Sequence, residues 1–332
     1  MKKVFFVAIS ILLFISGCGK YTEGDVIKDF EHKIKKINAY KLSGLLEITN
    51  NDDVYNYNVE VSYKKDNYYK VCLTNIANNH SQIILKNEEG VYVLTPALNK
   101  SFKFQSDWPY NNSQIYLLHA LLDDLKNTEN RKFINNNDKI IFSSNVNYPN
   151  NNKLISQKIY FDKNLNIKEV KVFDKNDIAY MSMRFNNIDY SPTFADDYFD
   201  LDVVMESCSL FENTFDEIMK LDDIIYPLVI PEGTKLVSEE KLKKDIGERI
   251  IMTFGGEKPF VLVEETVVVE EEFTIIPTYG EPYQLSDTLG VMTSNSLSWI
   301  SNGIEYYIIS DVLEQEEIVE IARSINVLPT MK

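Results

Sequence analysis

Cys18 is the residue whose setting most plainly prescribes chemistry. Lys2 and Lys3 form a short positive head, and Val4 to Ile15 is an apolar run of twelve residues closed by Ile15-Ser16-Gly17-Cys18. Twelve apolar residues are too few for a permanent membrane span but suit a signal-peptide core. The small residues Ser16 and Gly17 would let a lipoprotein signal peptidase reach the bond before Cys18. The box looks like a bacterial lipobox, with Ile15 in place of the commoner leucine. The thiol would take a diacylglycerol, the chain would be cut before it, and the new amine would accept a further acyl chain such as palmitate. Each buried methylene contributes about 0.8 kcal/mol, and two or more chains make a stable anchor. The expected address is the outer face of the cytoplasmic membrane. An ordinary secretory signal with a chance cysteine is the alternative.

Other chemistry is thin. The three histidines, His32, His80 and His119, have no second histidine or cysteine at metal-ligand spacing. No glycine-rich phosphate loop, dinucleotide fingerprint or Gly-x-Ser-x-Gly elbow is present. Acidic pairs such as Asp123-Asp124, Asp196-Asp197 and Glu264-Glu265 could in principle serve glycoside hydrolysis. In so acidic a chain they read better as solvated faces. The expectation is therefore no catalytic set, no metal site and no cofactor. Aromatic residues carry more: Phe102, Phe104, Trp108 and Tyr110 cluster within nine residues. They would form either core or a surface for an apolar ligand or a partner.

These residues must be held by elements, and composition divides those elements in two. The net charge is −16 over 332 residues, which argues against nucleic acid. The charge is uneven. Up to Tyr190 there are 21 acidic and 25 basic residues; from Ser191 there are 29 acidic and 9 basic. Asparagine breaks at the same place, with 28 before Ser191 and 4 after. Such shifts mark a domain boundary. The reading is a signal peptide over 1–17, a lipidated tether over 18–24, a first domain over 25–200, a linker with a helix over 201–230 and a small acidic α+β domain over 231–332. Cys72 and Cys208 are the only other cysteines, and an oxidising location leaves a bridge or two thiols both open.

Val26, Phe30, Ile34 and Ile37 recur at helical spacing and predict a helix over about 25–37 that packs on a sheet. Short strands follow from Tyr40 to Gln105 with turns such as Asn87-Glu88-Glu89-Gly90. Asn112 or Ser113 would cap a second helix running to about Lys126. Four further strands to Ile188 complete a large antiparallel sheet. The second domain reads as a helix over about 205–219, then four or five strands, and a last helix over about 314–325.

The run from Tyr63 to Leu117 carries a resemblance. Tyr63-Lys64-Lys65, Tyr68-Tyr69-Lys70-Val71, Gln82-Ile83-Ile84-Leu85, Gly90-Val91-Tyr92-Val93-Leu94-Thr95-Pro96 and Asn99-Lys100-Ser101-Phe102-Lys103-Phe104-Gln105-Ser106-Asp107-Trp108-Pro109 resemble sporulation lipoproteins of the YdcC type. These are similar to the lipoprotein carrier LolA, to the germination lipoprotein GerS and to two-domain proteins such as RseB. The resemblance implies an unclosed antiparallel half-barrel covered by helices, followed by the smaller α+β domain. It also implies work at the spore envelope, with an envelope or cortex protein as partner or an apolar lipid as ligand. A chain tethered through Cys18 cannot shuttle as a carrier does, and no residue here matches the carrier's functional arginine.

Overall fold

The computed structural model describes residues 22–325 apart from 51–52, 111–112, 130, 137–138, 149–150, 210–223 and 271. Helix α1 (Glu23–Lys35) leads into strands β1 (Ala39–Asn50), β2 (Asp53–Lys64), β3 (Tyr68–Asn75), β4 (Ser81–Asn87), β5 (Gly90–Thr95) and β6 (Lys100–Phe104). Helix α2 (Leu118–Asn127) is followed by β7 (Lys132–Asn136), β8 (Lys139–Asn145), β9 (Ser156–Phe161), β10 (Ile167–Phe173) and β11 (Ala179–Asp189). After helix α3 (Leu201–Ser209) come β12 (Thr234–Lys243), β13 (Glu248–Gly256), β14 (Phe260–Thr266) and β15 (Thr274–Thr278). Strands β16 (Glu281–Gln284), β17 (Leu289–Met292), β18 (Ser296–Ser301), β19 (Ile304–Ile309) and helix α4 (Gln315–Ser324) complete the α+β fold.

Among the described residues the first sheet has twelve strands in the order β15-β6-β5-β4-β3-β2-β1-β11-β10-β9-β8-β7, antiparallel except at β15. Its ends, β15 and β7, do not pair, so the sheet curls without closing. Helices α1 and α2 fill its inner side. Thr22 caps α1 reciprocally with Asp25, and the stripe Val26, Phe30 and Ile34 is buried as its spacing requires. Phe30 meets Phe161 edge to face at 5.2 Å between ring centroids. Helix α2 begins at Leu118, later than the sequence reading, because Ser113 does not cap it. The Ser113 hydroxyl instead donates to Asp124 at 2.9 Å and accepts from the Asn147 amide at 2.7 Å.

Strands β4 and β5 are apolar on both faces, as befits strands covered on both sides. Ile84, Val91 and Val93 join the inner core. Ile83, Leu85, Tyr92 and Leu94 meet Leu201, Val204 and Met205 of α3 on the outer side. The linker helix thus starts at Leu201 and packs on the first domain; the expected residues 210–219 of it lie outside the described residues.

Gly44 marks a bulge in the β1–β11 ladder. A Cβ there would run into the Arg184 carbonyl oxygen of the neighbouring strand. Gly44→Ala is therefore expected to push β1 from β11 and destabilise the half-barrel by about 1–3 kcal/mol. Urea unfolding followed by circular dichroism checks this; an unchanged midpoint would show that the bulge tolerates a side chain.

Among the described residues the second sheet has seven strands, β12-β13-β14-β19-β18-β17-β16, rather than the four or five expected. Helix α4 packs Ile318, Val319, Ile321 and Ala322 into its core. The boundary drawn at 231 is crossed twice. Strand β15 pairs in parallel with β6, extending the first sheet, and Leu289 and Val291 of β17 join the first core.

Candidate binding site

The aromatic cluster is split by the fold. Phe104 and Trp108 are buried in the core, at 3% and 1% exposure. Phe102 is partly buried beside them, and Tyr110 is 55% exposed. The four side chains do not form one surface. Trp108 lies edge to face on Tyr69 at 5.8 Å, and its carbonyl accepts from the Lys86 ammonium at 2.6 Å. The same ammonium sits 5.1 Å from the Tyr110 ring. This loop is thus pinned from β4, and Trp108 is among the residues that line a cleft.

The cleft opens between the mouth of the half-barrel and the β16–β17 hairpin, with a volume of about 290 Å³. Leu46, Ile48, Ile84, Trp108, Ile115 and Met181 line it from the first domain. Pro282, Tyr283, Gln284 and Leu289 line it from the second. At its rim, Arg323 of α4 donates to the Tyr283 hydroxyl at 3.5 Å. With its amide oxygen turned to the guanidinium, Asn151 accepts from both Arg323 Nη atoms at 3.1 and 3.2 Å. Burial holds the Tyr283 hydroxyl above its ordinary range, and the Arg323 charge opposes that rise.

Directed hydrogen bonds hold the two walls in register. The Gln82 amide on β4 acts like a piece of strand: its Oε1 accepts from Leu289 N at 2.6 Å and its Nε2 donates to Leu289 O at 3.3 Å. Tyr57 donates to the Ser286 carbonyl at 2.8 Å, and Ser106 donates to Glu281. Asn50 donates to the Arg323 carbonyl at 3.3 Å. Sequence reasoning gave Gln82 no role beyond the family resemblance and missed Asn151 and Arg323. Each is a polar residue whose partner is distant in the chain, so no local pattern marks it.

A second, more polar depression of about 210 Å³ runs along α2 between Tyr110, His119, Asp124 and Asn147. Burial pushes the His119 imidazole down to about 4, so it is neutral at physiological pH. Burial pushes the Asp124 carboxyl up to about 6, against the hydrogen bonds from Ser113 and Gln157. Both Asp124 oxygens are occupied by those partners, at 2.9 Å each. Among the described residues, no group of three or more His, Cys, Asp or Glu side chains is placed to hold a metal. Cys72 is half-buried on β3 with its sulfur 3.8 Å from the Thr74 hydroxyl, and the Cys208 side chain lies outside the described residues. Ile15, Ser16, Gly17 and Cys18 lie outside them as well.

No family model matches the chain. The sporulation protein YdcC of Bacillus subtilis (strain 168) is 35% identical over 316 residues, which is 95% of this chain and 94% of the relative. The chain belongs to the YdcC family of sporulation proteins. The identity runs through both domains. Among solved structures, a complex of MucA and MucB from Pseudomonas aeruginosa is 10% identical, covering 90% of this chain and 98% of that one, with a TM-score of 0.33. The complex of the CwlD amidase with the GerS lipoprotein from Clostridioides difficile is 18% identical over 53% of this chain and 99% of that one, with a TM-score of 0.24. A LolA superfamily protein from Nitrosomonas europaea is 10% identical over 53% of this chain and 98% of that one, with a TM-score of 0.30. At these identities and scores, none transfers a partner or a site residue to this member of the family.

Proposed function

We propose that this protein is a membrane-anchored, non-enzymatic binding module of spore formation or germination, holding an envelope or cortex protein at the outer face of the cytoplasmic membrane. Family membership supplies the sporulation setting. The Ile15-Ser16-Gly17-Cys18 box supplies the anchor, which makes a stationary role fit better than a shuttle.

The observation that carries the binding role is the cleft between the domains. Its volume of about 290 Å³ lies at the foot of the roughly 300–1,000 Å³ span of small-molecule pockets. Helices α1 and α2 already fill the rest of the half-barrel's inner side. The space suits one or two side chains of a partner better than a long acyl chain. Its apolar floor keeps an alternative alive, in which a lipid or lipoprotein chain enters there.

The test is recovery of partners from sporulating cells by the detergent-solubilised wild type, a Cys18→Ala form and Tyr180→Arg, which puts a charge into the cleft wall. Wild type and Cys18→Ala should recover the same specific protein, Tyr180→Arg should lose it, and only Cys18→Ala should fail to partition into detergent. No specific partner with either cleft-intact form would sink the reading. Acyl species retained in native mass spectrometry, with no protein partner, would favour the lipid alternative.

A further inference from the structure

Arg323, in the last turn of α4, is the one basic residue among those that line the cleft. The chain from Ser191 holds 29 acidic and 9 basic residues, and Lys241, Lys244, Arg249 and Lys258 of that half each sit on a carboxylate. Among the described residues Arg323 has no such partner, and its acceptors are neutral. The Asn151 amide oxygen bridges both Nη atoms at 3.1 and 3.2 Å, and the Tyr283 hydroxyl accepts from one of them at 3.5 Å. The buried Nε has no hydrogen-bond partner. A guanidinium carries five N–H donors, so these contacts leave it short. A half-buried charge without a counter-charge is costly, and an anion in the cleft would offset that cost.

The fork on Asn151 selects the anion. One amide oxygen facing both Nη atoms stands where a carboxylate oxygen would stand on a guanidinium. Asn151 keeps the fork occupied with a neutral acceptor, and a carboxylate in its place gains charge-assisted bonds of roughly twice the strength. The carboxylates around the rim are engaged elsewhere. Glu316 accepts from the Asn152 amide at 3.0 Å, Glu281 accepts from Ser106, and Glu320 pairs with Lys153. The root of the guanidinium is fixed, since Asn50 donates to the Arg323 carbonyl at 3.3 Å and the Ser324 hydroxyl donates to the Ile321 carbonyl at 2.7 Å. Leu46, Ile84 and Met181 line the same volume of about 290 Å³. That space holds one or two side chains, so the anion and the apolar group must come from one residue or from neighbours.

We propose that the cleft captures the C-terminal end of a partner polypeptide, with the terminal carboxylate on the Arg323 guanidinium in place of Asn151 and the last apolar side chain against Leu46, Ile84 and Met181. This rests on the binding role above and names the chemistry of its partner. A chain terminus carries its carboxylate and its side chain on one Cα, so a single residue supplies both groups. Capture of a terminal carboxylate is a recurring mode of peptide recognition. A long acyl chain with a carboxylate head offers the same charge but suits the space less well.

Ligand-detected NMR titration of the full chain in a non-ionic detergent tests this, with acetyl-leucyl-phenylalanine, its C-terminal amide and laurate as probes. The peptide acid should bind about tenfold or more tightly than its amide. Arg323→Gln should remove that preference. Asn151→Asp should remove it too, because a resident carboxylate then occupies the fork, and it should keep or raise the unfolding midpoint. Asn151→Ala should retain the preference. A purely structural Arg323 gives a different pattern, with Asn151→Ala as harmful as Arg323→Gln and Asn151→Asp harmless, and that pattern would overturn the proposal. So would equal binding of acid and amide, no binding of either, or Arg323-dependent binding of laurate in preference to the peptide acid. A partner from sporulating cells that is lost by Tyr180→Arg but kept by Arg323→Gln would overturn C-terminal capture and leave the binding role standing.

Discussion

Trp108→Ala is expected to destabilise the half-barrel by about 3–5 kcal/mol, the range for removing a large aromatic ring from a core. Trp108 is 1% exposed and packs edge to face on Tyr69. Trp108 also lines the cleft, so the cavity left behind would lie beside it and collapse poorly. Tyr110→Ala, two residues on, should change stability by less than about 0.5 kcal/mol, as for exposed sites elsewhere. The Tyr110 ring is 55% exposed; its hydroxyl donates to Asn67 on a turn and stands 3.5 Å from the Tyr69 hydroxyl, the longest of its polar contacts. Urea unfolding of both variants gives the comparison. Equal losses would mean that the aromatic cluster acts as one surface after all.

That split explains what could and could not be read from the sequence. Phe102, Phe104, Trp108 and Tyr110 are close in the chain, but a strand alternates its faces and the loop after β6 turns back on itself. Proximity in sequence gave no common direction. Helix α1 was legible because its stripe and its burial share the 3.6-residue period. Strands β4 and β5 were legible from the Asn87-Glu88-Glu89-Gly90 turn that joins them, although α3 as the cover on their outer face was not. Strand β15 was not legible. Thr274-Ile275-Ile276-Pro277-Thr278 has no alternation, contains a proline and pairs with a strand from the other domain. The cleft was beyond reach for the same reason, since Gln82, Asn151 and Arg323 meet only after both domains have formed.

Glu264→Gln is expected to stabilise the second domain above pH 7 and to flatten the pH dependence of its stability below that. Glu264 on β14 is fully buried, and one of its oxygens accepts from the Ile225 amide at 3.2 Å. The other oxygen has no hydrogen-bond partner, nor has the hydroxyl of Tyr306, which stands opposite on β19. Burial pushes this carboxyl up to about 7 from 4.5, opposed by the Ile225 hydrogen bond and assisted by the charge of Glu239. Below pH 4.5 the group is protonated in both folded and unfolded chains, and its contribution is fully present. Between 4.5 and 7 the unfolded chain has released the proton and the folded one has not, so stability falls as pH rises. Above 7 the loss levels off, on the order of 3 kcal/mol. Glutamine keeps an acceptor for Ile225 without the charge, so the variant should gain about 1–3 kcal/mol at pH 8. Asp124, pushed up to about 6 in the first domain, leaves a residual slope of the same sign at lower pH. Thermal unfolding from pH 5 to 8 measures both, and a variant as pH-dependent as the wild type would remove Glu264 as the cause. The consequence reaches the linker. Ile225 hangs from Glu264, and Leu228 and Val229 hang from Ser324 at 3.4 and 3.0 Å. The carboxyl accepts from Ile225 in either protonation state, and so helps hold the segment that leads into β12.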